Sequence, residues 1–317
     1  MLALQVLVAP QVLVTRDVYL MGTRAHLATR GATRDAGLAT LESALRVLEE
    51  SERELSTWQD RSAISHLNRQ PIGTPWQASP RLCDMFAGVY DWQAATDAAF
   101  DPVIGRLIAA WDIHGDGRMP SRETLAAAQS TSGAALLSFD RARCTLTRRA
   151  DVAIDVGAFG KGEALDRVEA ALGPGPWMID LGGQVSVGGP MPEGSAWIID
   201  VAHPLERHRP YLQVRMSEGS LSTSAGSERD LRVNGTRVAH HLDPRTGRPA
   251  AFDGSVTVWH RHGLAADALS TALYVMGPEE GMRWAEARGL AVCYLIPTDG
   301  TVRMEATRAF RTLIAPE

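Results

Sequence analysis

The chain has 317 residues, 45% of them hydrophobic and 22% charged, which is typical of a globular protein with a sizeable core. Its formal net charge of −5 argues against the basic surface that nucleic-acid or anionic-membrane binding requires. Cys83, Cys144 and Cys293 form no C-x-x-C pair, so we expect neither a zinc site nor a disulfide, as is usual in a reducing compartment.

The N-terminal segment from Met1 to Val14 is apolar but carries no basic residues, is interrupted by Pro10 and is too short to span a bilayer. We therefore expect a first strand over Gln11 to Tyr19, no transmembrane segment, no export signal and a cytoplasmic location.

Three helices are predicted in the first part of the chain. Thr33 to Leu55 places leucines at helical spacing between charged residues, which predicts an amphipathic helix. Ser79 and Pro80 form an N-cap and N1 pair that begins a second helix, and Ser121 begins a third by the same logic.

From about Leu136 the pattern changes to short strands separated by glycine turns. Two helices interrupt them, from about Gly162 to Leu172 and from about Leu264 to Met276, and a last helix lies between Pro278 and Gly289. The predicted strands are Asp151–Val156, Trp177–Leu181, Trp197–Val201, Tyr211–Met216, Ser255–Trp259, Ala291–Ile296 and Thr301–Met304.

These elements predict an α+β fold with mostly antiparallel sheet, because the strands do not alternate regularly with crossover helices. We expect one domain over residues 1–317, with a helix-rich part over about 20–135 and a strand-rich part over about 136–317.

A glycine-rich loop from Asp155 to Asp166 (DVGAFGKGEALD) follows a predicted strand and opens a helix. Glycines let the backbone approach an anion, and a helix N-terminus offers unpaired N–H groups to it. The chain has 32 lysines and arginines, and Lys161 is its single lysine, which suggests a need for a compact ammonium at a phosphate. The alternative is a tight turn with a solvated lysine.

Asp267 and Thr271 lie four residues apart in a predicted helix and therefore share one face. A carboxylate and a hydroxyl are hard oxygen ligands that suit Mg²⁺ beside a phosphate. The alternative is an aspartate that satisfies the first turn of the helix, with a packed threonine.

His240 and His241 precede a Pro-x-x-Gly turn and are predicted to point to opposite faces of a strand, so that one of them could serve as a general base. The alternative is a strand-end histidine bonded to the turn. The serine-rich segment just upstream, LSTSAGSER, is either a binding turn or a hairpin.

Met21, Trp58 and the Ala99-Phe100-Asp101 segment are further candidate ligand contacts, because an aromatic ring of a ligand needs a flat apolar partner. Each of these aromatic residues taken singly is more typical of a core.

Taken together, these segments resemble the ApbE family of FAD:protein FMN transferases over nearly the whole chain from Met21 onward. Eight segments occur in the order of the family's motifs: MGT at 21, LSTWQDRSAISHLN at 55, FDPVIGRL at 100, DVGAFGKGEALD at 155, LGG at 181, STSAGSER at 222, HHLDPRTG at 240 and ADALSTALYVMG at 266.

The resemblance implies Mg²⁺-dependent transfer of FMN from FAD to a Thr or Ser of an acceptor flavoprotein subunit, with release of AMP. It implies that the backbone carbonyl of Ala158, Asp267 and Thr271 hold the metal. Asp155 and Lys161 would contact FAD. His240 would be the catalytic histidine.

By the same resemblance, His241, Met21, Trp58, Ala99, Phe100 and Asp101 fall on segments that contact the flavin substrate. The chain departs from the family pattern at Ser227, where an aromatic residue is absent, at Gln184, where an acid is common, and at Trp58, where tyrosine is frequent. Family members are often exported, which makes a periplasmic or membrane-associated location the alternative.

Three other functions fit parts of the pattern. An FAD pyrophosphatase would use the same residues with water as acceptor, and a non-catalytic flavin-binding protein would retain only the binding segments. A protein that itself carries covalent FMN is disfavoured. The targets of the family carry a motif that resembles Asp-x-x-Ser/Thr-Gly-Ala-Ser/Thr, and the nearest segment here, Ser132-Gly133-Ala134-Ala135, lacks its leading acid and closing hydroxyl.

Overall fold

The computed structural model describes residues 11–191, 194–226, 230–233 and 235–316. Most of the apolar N-terminal segment and the Ser227 departure from the family pattern therefore lie outside the described residues.

The helices of the described chain are α1 (Arg34–Leu55), α2 (Ala63–Arg69), α3 (Pro80–Ala95), α4 (Gly105–Trp111), α5 (Arg122–Ser130), α6 (Gly160–Leu172), α7 (Gly263–Glu286) and α8 (Arg308–Arg311). The strands are β1 (Val12–Leu20), β2 (Thr23–Gly31), β3 (Pro75–Gln77), β4 (Leu137–Asp140), β5 (Thr145–Arg148), β6 (Trp177–Leu181), β7 (Gln184–Val187), β8 (Trp197–Ala202), β9 (Pro210–Met216), β10 (Gly219–Ala225), β11 (Leu231–Val233), β12 (Thr236–Val238), β13 (Leu242–Asp243), β14 (Arg248–Pro249), β15 (Ser255–His260), β16 (Ala291–Thr298) and β17 (Thr301–Ala306).

One large sheet organises the described residues. Its eight strands run in the order β1-β2-β6-β7-β10-β15-β16-β17, and every adjacent pair is antiparallel. The N-terminal hairpin β1–β2 joins the strands of the second half of the chain through β2 and β6. The predicted α+β class with mostly antiparallel sheet is confirmed.

The two faces of the sheet are covered differently. Helices α1, α6 and α7 pack on one face, where Leu27 and Ile179 meet α1 and α6 and Val256 meets α7. The β8–β9 hairpin and α8 cover the other face, where Val185 and Leu295 contribute apolar side chains. Alternation along each strand divides its residues between these two cores.

Side-chain caps begin most of the helices and explain why their starts were predictable. The hydroxyls of Thr33, Ser79 and Ser121 accept hydrogen bonds from backbone N–H groups in the first turns of α1, α3 and α5. The predicted stop at Gly277 is confirmed, because Gly277 has non-helical backbone at φ +74° and ψ 173° and divides α7 into two helical parts, the second of which begins at Pro278.

The prediction of a strand over Asp151–Val156 is wrong. This segment is extended, but its backbone pairs with single groups on neighbouring elements. The Asn68 side-chain amide donates to the carbonyl of Ile154 at 2.9 Å and accepts from its N–H at 2.8 Å, and Gly105 N–H donates to the Ala153 carbonyl.

The prediction that no disulfide forms is also wrong, because Cys83 and Cys144 are bonded to each other. The first turn of α3 packs over the β4–β5 turn and brings their Cα atoms to 5.3 Å, although 61 residues separate them in sequence. The pairing removes the cysteine-based reason for placing the chain in a reducing compartment. Cys293 is buried.

No helix within the described part of the chain is both long and apolar enough to cross a membrane.

Candidate active site

Helices α6 and α7 meet at their N-termini, and this junction is the centre of the candidate site. Gly162 and Gly263 lie in such close contact that a Cβ on Gly162 would be 2.2 Å from the Gly263 carbonyl oxygen. The Asp166 carboxylate caps α7 by accepting from the N–H groups of Gly263 at 2.5 Å and Leu264 at 2.9 Å. Two glycines and one cap thus fix the two helix starts against each other.

Side chains on the strands of the large sheet also contact this junction. The Gln184 side-chain amide donates to the Gly263 carbonyl at 2.9 Å. The hydroxyls of Ser222 and Ser224 lie 3.1 and 2.9 Å from that of Ser270 on α7. The described part of the serine-rich segment is strand β10, which anchors α7, so its hydroxyls at these two positions serve the helix.

Lys161 and Asp267 contact each other across this junction. Lys161 Nζ lies 3.1 and 3.3 Å from the two carboxylate oxygens of Asp267, and Gly162 N–H donates to the same carboxylate at 3.1 Å. The Asp267 side chain is 5% exposed and that of Lys161 is 21% exposed. The structure therefore joins the residue predicted to contact phosphate to the residue predicted to bind metal.

The three residues predicted to hold the metal carry the hard oxygen donors that a cation such as Mg²⁺ prefers. Asp267 supplies a buried carboxylate, Thr271 a hydroxyl one turn further along α7, and Ala158, in the turn that opens α6, a backbone carbonyl. Within the described ranges, no three His, Cys, Asp or Glu side chains converge as a metal-binding group. A set with one carboxylate and two neutral oxygens would not form such a group.

Asp267, Thr271 and Tyr274 follow one face of α7, because residues i, i+4 and i+7 of a helix lie above one another. Seven residues correspond to about 10 Å along the helix axis. Tyr274 is buried, and its hydroxyl donates to the Phe252 carbonyl at 2.5 Å.

The two histidines lie at the Tyr274 end of this face. The His241 ring is 4.4 Å from the Tyr274 ring between centroids, and the His240 ring is 3.9 Å from the His241 ring. The prediction that they point to opposite faces of a strand is wrong. Both residues precede β13 in irregular backbone, where side chains need not alternate, and their rings pack together.

Asp230 is a site residue that sequence reasoning missed. Its carboxylate oxygen Oδ1 lies 2.7 Å from His240 Nδ1 and also accepts the His240 backbone N–H at 3.1 Å. The Asp230 side chain is 4% exposed. A buried carboxylate on Nδ1 orients the imidazole and favours the tautomer with the proton on that nitrogen.

Trp58 and Asp155 both contact His114, a second residue that sequence reasoning missed. The Trp58 ring, in a side chain exposed at the surface, lies 5.1 Å from the His114 ring between centroids. His114 Nε2 lies 2.9 Å from Asp155 Oδ2, and Asp155 Oδ1 accepts the N–H of Gly157 at 2.8 Å. No motif spacing links residues 58, 114 and 155, because they meet through tertiary packing alone.

The remaining predicted flavin contacts occupy other surroundings. Met21 lies at the β1–β2 turn, and its N–H donates to Glu52. Ala99, Phe100 and Asp101 are buried. The Asp101 carboxylate accepts from the N–H groups of Val103 and Ala134, and burial raises its pKa. The structure gives these last three side chains an internal role, and their contact with flavin stays a prediction.

Comparisons with known proteins agree with this architecture. The sequence profile described as the ApbE family matches residues 21–294. The FAD:protein FMN transferase of Haemophilus influenzae is 27% identical over 310 residues, which cover 92% of this chain and 89% of that protein. The apo flavinyl transferase ApbE of Pseudomonas stutzeri superimposes with a TM-score of 0.84 at 27% identity, covering 97% of this chain and 98% of the other.

The ApbE protein of Thermotoga maritima superimposes with a TM-score of 0.87 at 26% identity, covering 96% of this chain and all of the other. A family match over most of the chain, joined to structural agreement over nearly all of it, settles the classification: the chain belongs to the ApbE family and is a transferase.

Proposed function

We propose that the protein is a Mg²⁺-dependent FAD:protein FMN transferase that attaches FMN to a Thr or Ser hydroxyl of an acceptor flavoprotein subunit and releases AMP. The observation that carries the proposal is the shared face of α7. The Lys161–Asp267 pair lies at one end of this face, Thr271 in the middle, and the Tyr274–His241–His240–Asp230 group at the other end.

The FAD pyrophosphate is assigned to the α6 end of the face. The N-terminus of α6 supplies the positive end of a helix dipole, and Lys161 adds a compact ammonium. Trp58 offers an exposed aromatic ring for the isoalloxazine, since aromatic rings stack on flat apolar partners.

The Ala158 carbonyl, Asp267 and Thr271 would hold Mg²⁺, which in such a site neutralises charge on the pyrophosphate and on the departing AMP. Asp267 is the anionic member of this set. Lys161, already bonded to Asp267, keeps a second positive charge beside the same phosphates.

His240 is assigned as the general base. Asp230 engages Nδ1, so Nε2 is the nitrogen assigned to take the acceptor proton. The acceptor oxygen then forms a bond to the phosphorus of the FMN half, and the bond from that phosphorus to the bridging oxygen breaks. AMP leaves with the bonding electron pair, and the acceptor proton resides on His240.

The test is incubation of an acceptor protein with FAD, Mg²⁺ and this protein, followed by mass spectrometry of the acceptor and chromatography of free AMP and FMN. Transfer predicts flavin-modified acceptor and AMP in equal amounts. An acceptor whose target Thr or Ser is replaced by Ala is the matched control and should stay unmodified.

Two outcomes would replace the proposal. Free FMN as the main product in the presence of the intact acceptor would assign an FAD pyrophosphatase. FAD binding without release of either AMP or FMN would assign a non-catalytic flavin-binding protein.

A further inference from the structure

His114 occupies a turn with a fixed shape. Asp112 ends α4 in the left-handed region at φ +55°, which reverses the chain. Ile113 N–H then donates to the Ile108 carbonyl at 3.1 Å, and Gly115 N–H donates to the Asp112 carbonyl at 3.0 Å. Trp111, at the end of α4, is buried. The backbone on both sides of His114 is therefore held by hydrogen bonds.

The turn is also tied to the histidine segment. Trp111 Nε1 donates to the Gly247 carbonyl at 2.8 Å, and Gln129 on α5 donates to the Thr246 carbonyl at 2.7 Å. The Pro-x-x-Gly turn that follows the two histidines thus rests on α4 and α5, the elements that support His114.

The His114 ring holds an exposed aromatic side chain. Trp58 is 71% exposed, so most of its indole ring is accessible to a ligand. The His114 ring contacts it at 5.1 Å with an interplanar angle of 61°, an edge-type contact. Such a contact fixes the indole while most of its surface stays accessible to a second ring.

The same His114 side chain reaches the glycine-rich loop. Its Nε2 lies 2.9 Å from Oδ2 of Asp155, whose side chain is 11% exposed. The other carboxylate oxygen of Asp155 accepts the Gly157 N–H, at the start of the loop that leads through Ala158 to Lys161. One imidazole therefore joins the exposed tryptophan to the loop at the phosphate end of the site.

We propose that His114 is a positioning residue for the FAD substrate, which sets the Trp58 ring at a fixed place relative to the glycine-rich loop. The inference rests on the proposed function and adds to it a residue that determines how the flavin end and the pyrophosphate end of FAD are presented together. His114 acts through Trp58 and Asp155 on substrate binding, and the proton transfer at His240 does not depend on it.

The experiment measures FAD affinity by fluorescence titration and transfer kinetics for four proteins. These are the wild type, His114→Ala, His114→Gln and His114→Phe. Removing both contacts in His114→Ala should weaken FAD binding and raise KM for FAD about 5- to 50-fold, from one ring contact and one charge-assisted hydrogen bond, with kcat nearly unchanged. Gln restores a donor towards Asp155 and Phe restores a ring against Trp58, so each should recover part of the affinity.

A double-mutant cycle with Trp58→Ala separates positioning from general destabilisation. If His114 acts through Trp58, His114→Ala should cost less affinity in the Trp58→Ala background than in the wild type. His208→Ala, an exposed histidine between β8 and β9, is the matched control and should change neither constant.

Unchanged FAD affinity in His114→Ala, a loss confined to kcat, or additive effects in the cycle would each overturn the inference while leaving the transferase proposal intact. A wild-type protein that binds no FAD would overturn both. Thermal melting of each variant identifies any that is unfolded, and the Gln and Phe variants keep the test decisive in that case.

Discussion

The two ends of the α7 face are built in opposite ways. The α6–α7 junction is held by two glycines in backbone contact, a half-buried aspartate cap and side chains of the large sheet. The histidine end consists of irregular backbone and the short hairpins β11–β12 and β13–β14, held by ring contacts and by Asp230. The end assigned to the phosphate chemistry is therefore set by backbone packing between two helices, whereas the end assigned to the acceptor protein is set by side-chain contacts between short segments.

The largest expected effect lies at the α6–α7 junction. Asp267→Ala should reduce transfer to background, because it removes the anionic member of the proposed metal set. Asp267→Asn keeps an oxygen for the Gly162 N–H but lacks the charge, so it should be equally inactive if the carboxylate binds metal. Both are measured by flavin-modified acceptor at saturating FAD.

Chelation provides the matched test in the wild-type protein. Excess EDTA should abolish transfer, and added Mg²⁺ should restore it. Full turnover in excess EDTA, or an active Asp267→Asn variant, would show that Asp267 serves the junction and not a metal.

At the histidine end, His240→Ala should slow transfer by about 10² to 10⁴, the usual contribution of a general base, while FAD still binds. His241→Ala removes the ring between His240 and Tyr274 and should mainly perturb FAD affinity. Transfer rates and FAD titrations of both variants are compared. Equal losses of kcat would contradict the assignment of a single base.

Asp230→Asn tests how strongly the rate of transfer depends on the Asp230 carboxylate. The amide preserves the size of the side chain but not its charge or its preference for a protonated Nδ1. We expect a loss in kcat between about 10-fold and the ~10⁴-fold found for the corresponding change in serine-protease triads, with little change in FAD affinity. Wild-type kcat in this variant would mean that Asp230 only supports the backbone of His240.

Lys161→Arg should raise KM for FAD on the order of tenfold, because the longer, planar guanidinium cannot take the place of the compact ammonium that lies 3.1 and 3.3 Å from the Asp267 carboxylate oxygens. FAD titration and steady-state kinetics measure it. If the arginine variant matches the wild type in both, the loop does not need a compact charge.

The smallest expected effect is on the free energy of unfolding and comes from a buried glutamate next to the α6–α7 junction. Burial raises the pKa of Glu163 on α6 to about 7, against the opposing effect of Arg167. The folded state therefore binds this proton more tightly than the unfolded state. The resulting contribution of Glu163 to the free energy of unfolding is fully present below the ordinary carboxyl pKa of about 4.3 and is lost as pH rises through about 7.

Glu163→Gln should accordingly weaken the pH dependence of unfolding between those values, by on the order of 1–3 kcal/mol. Denaturant unfolding at several pH values measures the slope, and Glu49→Gln on the exposed side of α1 is the control. An unchanged slope in Glu163→Gln would assign the pH dependence to other groups.

The sequence predicted those features whose cause is local. Thr33, Ser79 and Ser121 cap helices because a hydroxyl beside the first turn finds its partners within three residues. The antiparallel class followed from strand spacing, and the placement of Asp267 and Thr271 on one face from helical geometry alone.

What the sequence could not predict depends on packing between distant segments. Cys83 meets Cys144 because α3 covers the β4–β5 turn, and His114 meets Asp155 across 41 residues. Asp230 lies ten residues before His240, on the far side of the β11–β12 hairpin. The error about the two histidines came from assuming strand alternation where the backbone is irregular.

The bond between Lys161 and Asp267 also gives the protein a natural chemical reporter. Lys161 is the single lysine of the chain, so an amine-acylating reagent has one side-chain target, and a lysine-specific endoprotease has one peptide bond to cut. With 21% of its side chain exposed and its ammonium bonded to a carboxylate, that amine should react slowly in the folded protein. Acylation of Lys161, located by peptide mass spectrometry and so distinguished from acylation of the N-terminal amine, therefore reports directly whether the junction is closed, open or covered by substrate.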